Sequence, residues 1–292
     1  MRINNYLKIF IFFFLLGLFV SKKDDLFGNY STFFMPKEYK TIKSLVNKIA
    51  SKNYIGNKEI PFFIGSGSYM EFRAKELGLC KNEDCWYYNN LSPYKNYTNI
   101  KDINLNELIT QSYLFNGIEA YAWKGIVWLS QSTFRTYGDR TDFLSCTIGH
   151  ELSHIAFNDH IERKIKLSEK LNEIKSTNNN DLKEIEKKKD LLDFELNRIS
   201  EMLADNNAAK MTINAGYPKQ TCLDELTFLT QSSKLNVLTK NDSTHPGFIE
   251  RSSSLKRFID NYDKEKYLKS FTPYKWNWSY DRKLKILRFK PQ

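Results

Sequence analysis

The chain has 292 residues, 41% of them hydrophobic and 27% charged. That balance excludes a disordered chain and allows a real core spread over one or two domains. The net charge of +10 comes from lysines dispersed among glutamates and asparagines, with no nucleic-acid motif beside them. It reads as a solvated surface that would be drawn at most to an acidic membrane, and nucleic acid is not expected as a partner.

At the N-terminus, Arg2 and Lys8 precede the unbroken apolar run Ile9 to Val20, closed by Ser21-Lys22-Lys23-Asp24-Asp25. The run is shorter than the roughly 18 residues that reliably span a bilayer. A positive flank and a short apolar core describe an export signal. Phe19 and Val20 are too bulky for a clear small-x-small cleavage site and no cysteine follows to take a lipid, so an uncleaved anchor stays open. Residues 1–21 are therefore read as a signal peptide or N-terminal anchor. The rest is expected outside the cytoplasm, periplasmic or otherwise extracytoplasmic, free or held to the membrane by that single segment. This compartment permits disulfides. Cys80 and Cys85 are close enough to bridge locally, which would leave Cys146 and Cys222 as a pair, but spacing does not fix connectivity. Cys146, one helical turn before His150, reads rather as a small packing residue on the motif helix. A zinc site at Cys80/Cys85 lacks a second ligand pair.

The region 22–112 opens with a predicted helix from Pro36-Lys37-Glu38 to about Lys52, with Ile42, Leu45, Val46 and Ile49 at helical spacing. Glu59 to Ile64 reads as a short strand. The Gly65-Ser66-Gly67-Ser68 run after it is not a phosphate loop, since no lysine-serine or lysine-threonine pair follows. The polar and aromatic stretch from 70 to 112, which holds Cys80 and Cys85, has no readable function.

A second region, 113–262, carries the chemistry. Ile118 to Ser130 reads as a hairpin turning at Lys124-Gly125. Beyond its place in a sheet, the segment Ala120-Tyr121-Ala122-Trp123 would offer backbone groups along an edge to an extended peptide. Arg140-Thr141-Asp142 is expected to cap a helix that runs to about Phe157 and carries Gly149-His150-Glu151-Leu152-Ser153-His154. On a helix, His150 and His154 lie one turn apart on one face, the spacing of two zinc ligands on one element. Glu151 lies next to the first of them, where a carboxylate reaches a metal-activated water.

Residues 161–197 read as two solvated helices broken at Asn178-Asn179-Asn180, with Ile165, Leu167, Leu171 and Ile174 as packing surface. From about Leu182 a helix continues to Met211 and ends at Asn214-Ala215-Gly216-Tyr217-Pro218. It carries Glu201-Met202-Leu203-Ala204-Asp205. Glu201 is the preferred third ligand, and Asp205, one turn on, is placed to orient a ligating imidazole. His160, six residues after His154, is the competitor. That spacing belongs to sites with a glycine midway for a sharp turn, and Phe157 stands there instead, although Asn158 could supply the turn. A helix from Cys222 to about Ser233 follows, and then a loop, Ser243-Thr244-His245-Pro246, leading into a helix with Arg251. Residues 263–292 read as an aromatic and basic tail with a strand-like Leu284 to Phe289.

Four motifs in this order, Gly149 to His154, Glu201 to Asp205, Ala215 to Tyr217 and Ser243 to Arg251, resemble the gluzincin peptidases that include HtpX and the CAAX prenyl endopeptidase. The resemblance covers about residues 115–255. It departs in the hairpin, where Glu119, Lys124 and Ile126 replace an asparagine, a proline and a glycine of the family segment. With at most one membrane segment, the chain is more like the exported, single-domain members. The resemblance implies a mainly helical α+β, zincin-like domain, with a small sheet whose edge strand flanks the active-site helix. It implies one zinc ion per chain held by His150, His154 and Glu201, and Glu151 as the base. His245 would be an oxyanion donor or a reversible fourth ligand, and Arg251 a brace for the acids near the metal. The expected activity is zinc-dependent endoproteolysis of proteins or peptides in the envelope or secretory space, in quality control or processing. The alternative is a non-hydrolytic, zinc-containing chaperone-like or assembly factor.

Overall fold

The computed structural model describes residues 34–177, 182–232, 237–240, 242–273 and 275–292. The expected signal or anchor, 1–21, lies outside these residues. Among them, no helix is long and apolar enough to cross a membrane.

A five-stranded mixed sheet organises the fold, with strand order β2-β3-β1-β5-β4. The strands are β1 (Ile60–Gly65), β2 (Ala120–Trp123), β3 (Ile126–Ser130), β4 (Trp276–Asp281) and β5 (Ile286–Pro291). β1 runs parallel to β3, and every other pairing is antiparallel. The hairpin turns where expected, with Lys124 and Gly125 both at positive φ (48° and 82°), as a two-residue turn between twisted strands requires.

Alternation decides what each face does. Ile60, Phe62, Ile64, Val127, Leu129, Leu287 and Phe289 are fully buried on one face. Against them lies α1 (Lys37–Ala50), which brings Tyr39, Ile42, Leu45, Val46 and Ile49 into the same core. The motif helix α6 (Thr141–Ala156) adds Phe143, Leu144, Ile148 and Leu152 to it. The opposite face carries Trp128, whose ring lies where a Cβ on Gly65 would stand (2.5 Å from its indole nitrogen). Only glycine lets the indole lie flat there.

The stretch expected as a tail is structural. Residues 276–291 supply β4 and β5, and β5 pairs with β1 from Ile60↔Phe289 to Phe63↔Ile286. Leu287 and Phe289 alternate with charged neighbours, so the strand expected over Leu284 to Phe289 forms, shifted to Ile286–Pro291.

Between β1 and β2 the chain forms a small unit of its own: α2 (Ser68–Glu76), a 3₁₀ turn at Asn82–Cys85, α3 (Trp86–Asn89) and α4 (Leu105–Phe115). It packs around Met70, Ala74, Tyr88, Leu91, Leu105, Leu108 and Ile109. Cys80–Cys85 closes its middle. Both polar residues just before β2 tie it to the sheet. The Glu119 carboxylate accepts from the Ser68 amide at 3.0 Å and from the Ser68 hydroxyl, and Asn116 Oδ1 accepts from the Tyr69 amide at 3.2 Å. Together they cap α2 from outside.

α5 (Gln131–Tyr137) leads from β3 toward α6. The first turn of α6 departs from expectation. Arg140 occupies the N-cap position without a side-chain cap, and its guanidinium pairs with Asp142 through two 3.0 Å bonds. α6 ends at Ala156, and α7 (Asp159–Thr177) starts after Asn158, which takes φ 51°. α8 (Leu182–Asn214) then crosses α6, followed by α9 (Thr221–Ser232), α10 (Phe248–Asn261) and α11 (Lys264–Ser270). At the crossing, a Cβ on Gly149 would stand 3.2 Å from the Ala208 Cα. Glycine therefore sets how closely the two helices approach. Cys146 is not a free packing residue. It is bonded to Cys222 and ties α6 to α9 inside a cluster of Ala209, Leu226, Leu255 and Ile259.

Candidate metal centre

The α6–α8 crossing brings His150, His154 and Glu201 together, with one donor atom from each lying within 4.8 Å of the others. His150 Nε2 is 3.1 Å from His154 Nε2 and 3.4 Å from Glu201 Oε2, and His154 Nε2 is 3.6 Å from Glu201 Oε1. Tetrahedral ligands about 2.0–2.1 Å from zinc stand roughly 3.3–3.4 Å apart, so the three donors already have the spacing of a zinc face.

The far nitrogens explain why those donors point inward. His150 Nδ1 lies 2.9 Å from Asp205 Oδ1, and His154 Nδ1 lies 2.8 Å from Asp159 Oδ2. Each imidazole donates its Nδ1–H to a carboxylate, which leaves an Nε2 lone pair aimed at the centre. Two lone pairs and a carboxylate facing one another require a positive charge between them. Burial opposes charge on His150, but its bonds to Asp205 and Glu201 hold its pKa well above the ordinary histidine value. Burial would raise the Glu201 carboxyl, but the His150 bond and the neighbouring imidazoles bring it down to about 2. The cluster therefore takes either a proton or a cation, and its two-nitrogen, one-carboxylate donor set fits zinc.

Asp205 is itself gripped by Arg251, with Nε on Oδ2 at 2.7 Å and Nη2 on Oδ1 at 2.6 Å. This bidentate, buried pair holds the Asp205 carboxyl far below the usual range against the effect of burial. Deeper still lies Glu225, buried on α9. It accepts from Thr147 at 3.0 Å and from the Tyr137 hydroxyl. Burial raises its carboxyl to about 7.

Two supporting acids are not marked by any motif in the sequence. Asp159 follows the Asn158 turn and receives the Ser200 hydroxyl at 2.9 Å as well as His154. Its position five residues after His154 is the one available signal. Glu225 sits in an apolar helix with nothing beside it to single it out.

The competing ligand does not join the group. The Asn158 turn forms, yet His160 is exposed at the start of α7 and is not among the converging donors. His245 does reach the site from the loop before α10. Its Nε2 is 3.7 Å from Glu201 Oε2, and its side chain is 61% exposed. Thr244 holds its Nδ1 at 2.9 Å, and Arg198 anchors the loop to α8 through the Ser243 carbonyl at 3.0 Å.

Glu151 is buried beside the donors. Burial pushes its carboxyl up, only partly offset by His150 and His154, and the Ala122 amide of β2 donates to it. That contact sets the phase of the edge strand. Because the Ser130 amide bonds the Glu119 carbonyl, Tyr121 and Trp123 direct their backbone groups to β3, while those of Ala120 and Ala122 face outward. β2, Glu151 and the three donors all line one cleft of about 650 Å³.

With this geometry in place, comparison with known families is decisive. The model of peptidase family M48 matches residues 109–259, more than half of the chain. The chain belongs to peptidase family M48. This is a family of zinc metallopeptidases, and a mainly helical domain with a small mixed sheet is consistent with it. No curated protein and no solved structure matches the chain.

Proposed function

We propose that this M48 chain is a zinc metalloendopeptidase of the HtpX and CAAX-endopeptidase type, with His150, His154 and Glu201 holding the metal. The observation that carries the reading is the convergence of three inward-facing donors with a buried, raised-pKa carboxylate and an open strand edge in one cleft.

Bound there, a zinc ion supplies Lewis acidity toward a water molecule and a peptide carbonyl. The residues around it divide the remaining work. The backbone of Ala120 and the Ala122 carbonyl pair with an extended substrate backbone and lay its scissile bond before Glu151. Glu151 takes the proton of the attacking water and returns it to the leaving nitrogen, a role suited to a carboxylate whose pKa burial has raised. His245, on the opposite wall, offers an N–H to the carbonyl oxygen as negative charge develops. Asp205 and Asp159 keep the two imidazoles in the ligating tautomer, and Arg251 keeps Asp205 in place.

Two disulfides suit an oxidising compartment. With the signal-like N-terminus, they support action on proteins of the cell envelope or secretory space, in quality control or processing, with the N-terminal segment as the one attachment to a membrane.

The Glu151→Gln protein tests the reading. It should hold as much zinc as the wild type while its cleavage of casein falls by a factor of about 10² or more. Equal cleavage by mutant and wild type sinks the mechanism.

A further inference from the structure

The unit between β1 and β2 ends against the substrate edge, and the contacts there are aromatic. Trp86, the first residue after the Cys80–Cys85 loop, meets Trp123 at the tip of β2 with ring centroids 5.9 Å apart, edge to face. Neither ring is finished by this contact, since Trp86 is 47% and Trp123 50% exposed. Beside them Tyr121 stacks on Trp128 at 4.7 Å and donates its hydroxyl to Asn90 Oδ1 at 3.1 Å. Glu119, one residue before the strand, caps α2. The unit is thus fixed to the edge strand at three successive odd positions, 119, 121 and 123.

Alternation gives this a consequence. Ala120 packs toward the core, and the Ala122 amide meets Glu151. Tyr121 and Trp123 point to the other face, where Trp86 stands. A peptide added to β2 divides its side chains in the same way, every second one projecting on the Trp86 side. An antiparallel peptide bonds to Ala120 and to the Ala122 carbonyl, so its residues opposite Tyr121 and Trp123 occupy the non-hydrogen-bonded positions. Side chains are closest in such pairs, with Cβ atoms about 4.5–5.5 Å apart. Since Ala122 faces the base, the residue opposite Trp123 lies within about two residues of the scissile bond, at about 3.3 Å per residue.

We propose that Trp86 and Trp123 form a specificity subsite that selects substrates carrying an aromatic or large apolar side chain on the sheet face turned away from α6. This deepens the peptidase reading and rests on it. Lys124 Nζ lies over the Trp123 ring, 4.4 Å from its centroid, and the half-exposed indoles still leave ring surface on the Trp86 side for a third ring, the arrangement that aromatic clusters favour. The disulfide-tied unit thereby presents Trp86 at a fixed height beside the edge strand.

The test uses the full-length chain and a set of quenched-fluorescence peptides of one sequence, in which Phe replaces Ala at each position in turn. The wild type should cleave best with Phe at one position. There the ratio of kcat/KM for the Phe and Ala peptides should fall about three- to tenfold in Trp86→Ala, the range of one aromatic pair, and return in Trp86→Phe. Binding of the same peptides to Glu151→Gln, with and without Trp86→Ala, should show the same change in ratio without turnover. Active enzymes with an unchanged ratio overturn the subsite and leave the peptidase reading standing. Phe-selective, Trp86-dependent binding by a protein that cleaves nothing overturns the peptidase reading and supports the subsite.

Discussion

His150 and His154 sit one turn apart on α6, and what turns their spacing into a site is the pair of acids behind them. Asp205 and Asp159 each accept the Nδ1–H of one imidazole, and Arg251 locks the first acid in place. This layer ends at Glu225, a carboxyl buried with Tyr137 and Thr147 and raised to about 7. The sign of its effect follows from the direction of the shift. Between its ordinary value of 4.5 and about 7, the folded chain keeps a proton that the unfolded chain has released. The stabilisation is full below the ordinary value and is lost as pH rises through 7. Replacing Glu225 with Gln should flatten this fall in stability, a change on the order of 3 kcal/mol for a shift of this size. Urea unfolding of both proteins at pH 5 and pH 8 reads it directly.

At the scale of elements, the site is a crossing. α6 brings two donors and the base, α8 brings the third donor, and Gly149 sets how closely they approach. Gly149→Ala gains about 1 kcal/mol in helix propensity, but its methyl meets the backbone of Ala208 rather than a movable side chain. α8 must shift, carrying Glu201 away from the imidazoles. Zinc affinity, measured by competition with a chromophoric chelator, should fall about tenfold or more, while helicity by circular dichroism stays near the wild type.

Most of this crossing was legible in the sequence, because its constraints are local. His150 and His154 carry their spacing on one helix, and the apolar neighbours of Glu201 set it apart from the surface acids of α7 and α8. His245 and Arg251 were named through the resemblance to the gluzincin peptidases, not through any spacing of their own. Asp159 was not legible, because the turn that Asn158 allows was weighed for His160, and only the folded chain shows that it places Asp159 on His154 instead. Glu225 was not legible either, since a lone acid in an apolar helix carries no sign of the tyrosine and threonine that satisfy it. The stretch from Leu284 to Phe289 was strand-like in sequence, but its closure on β1, at the other end of the chain, and the pairing of β4 with it are long-range and left no local sign.

For the whole molecule, that long-range closure is what holds the sheet together. β5 sits between β1 and β4, and Phe289 is fully buried, edge to face with Phe62 at 5.7 Å. Phe289→Ala should therefore cost about 3–5 kcal/mol, although it is not among the converging donors. Denaturant unfolding measures that loss. A cost below about 1 kcal/mol would show that the closing strands are dispensable. The family, the donor cluster and the open edge of β2 point to one account, a two-helix, His-His-Glu zinc site feeding a peptide-binding edge.

The most direct test of that account is metal content after purification of the wild type, Glu201→Ala and His160→Ala. The account predicts one zinc per chain in the wild type and in His160→Ala, and loss of zinc in Glu201→Ala. Zinc retained without Glu201, or lost without His160, would contradict it.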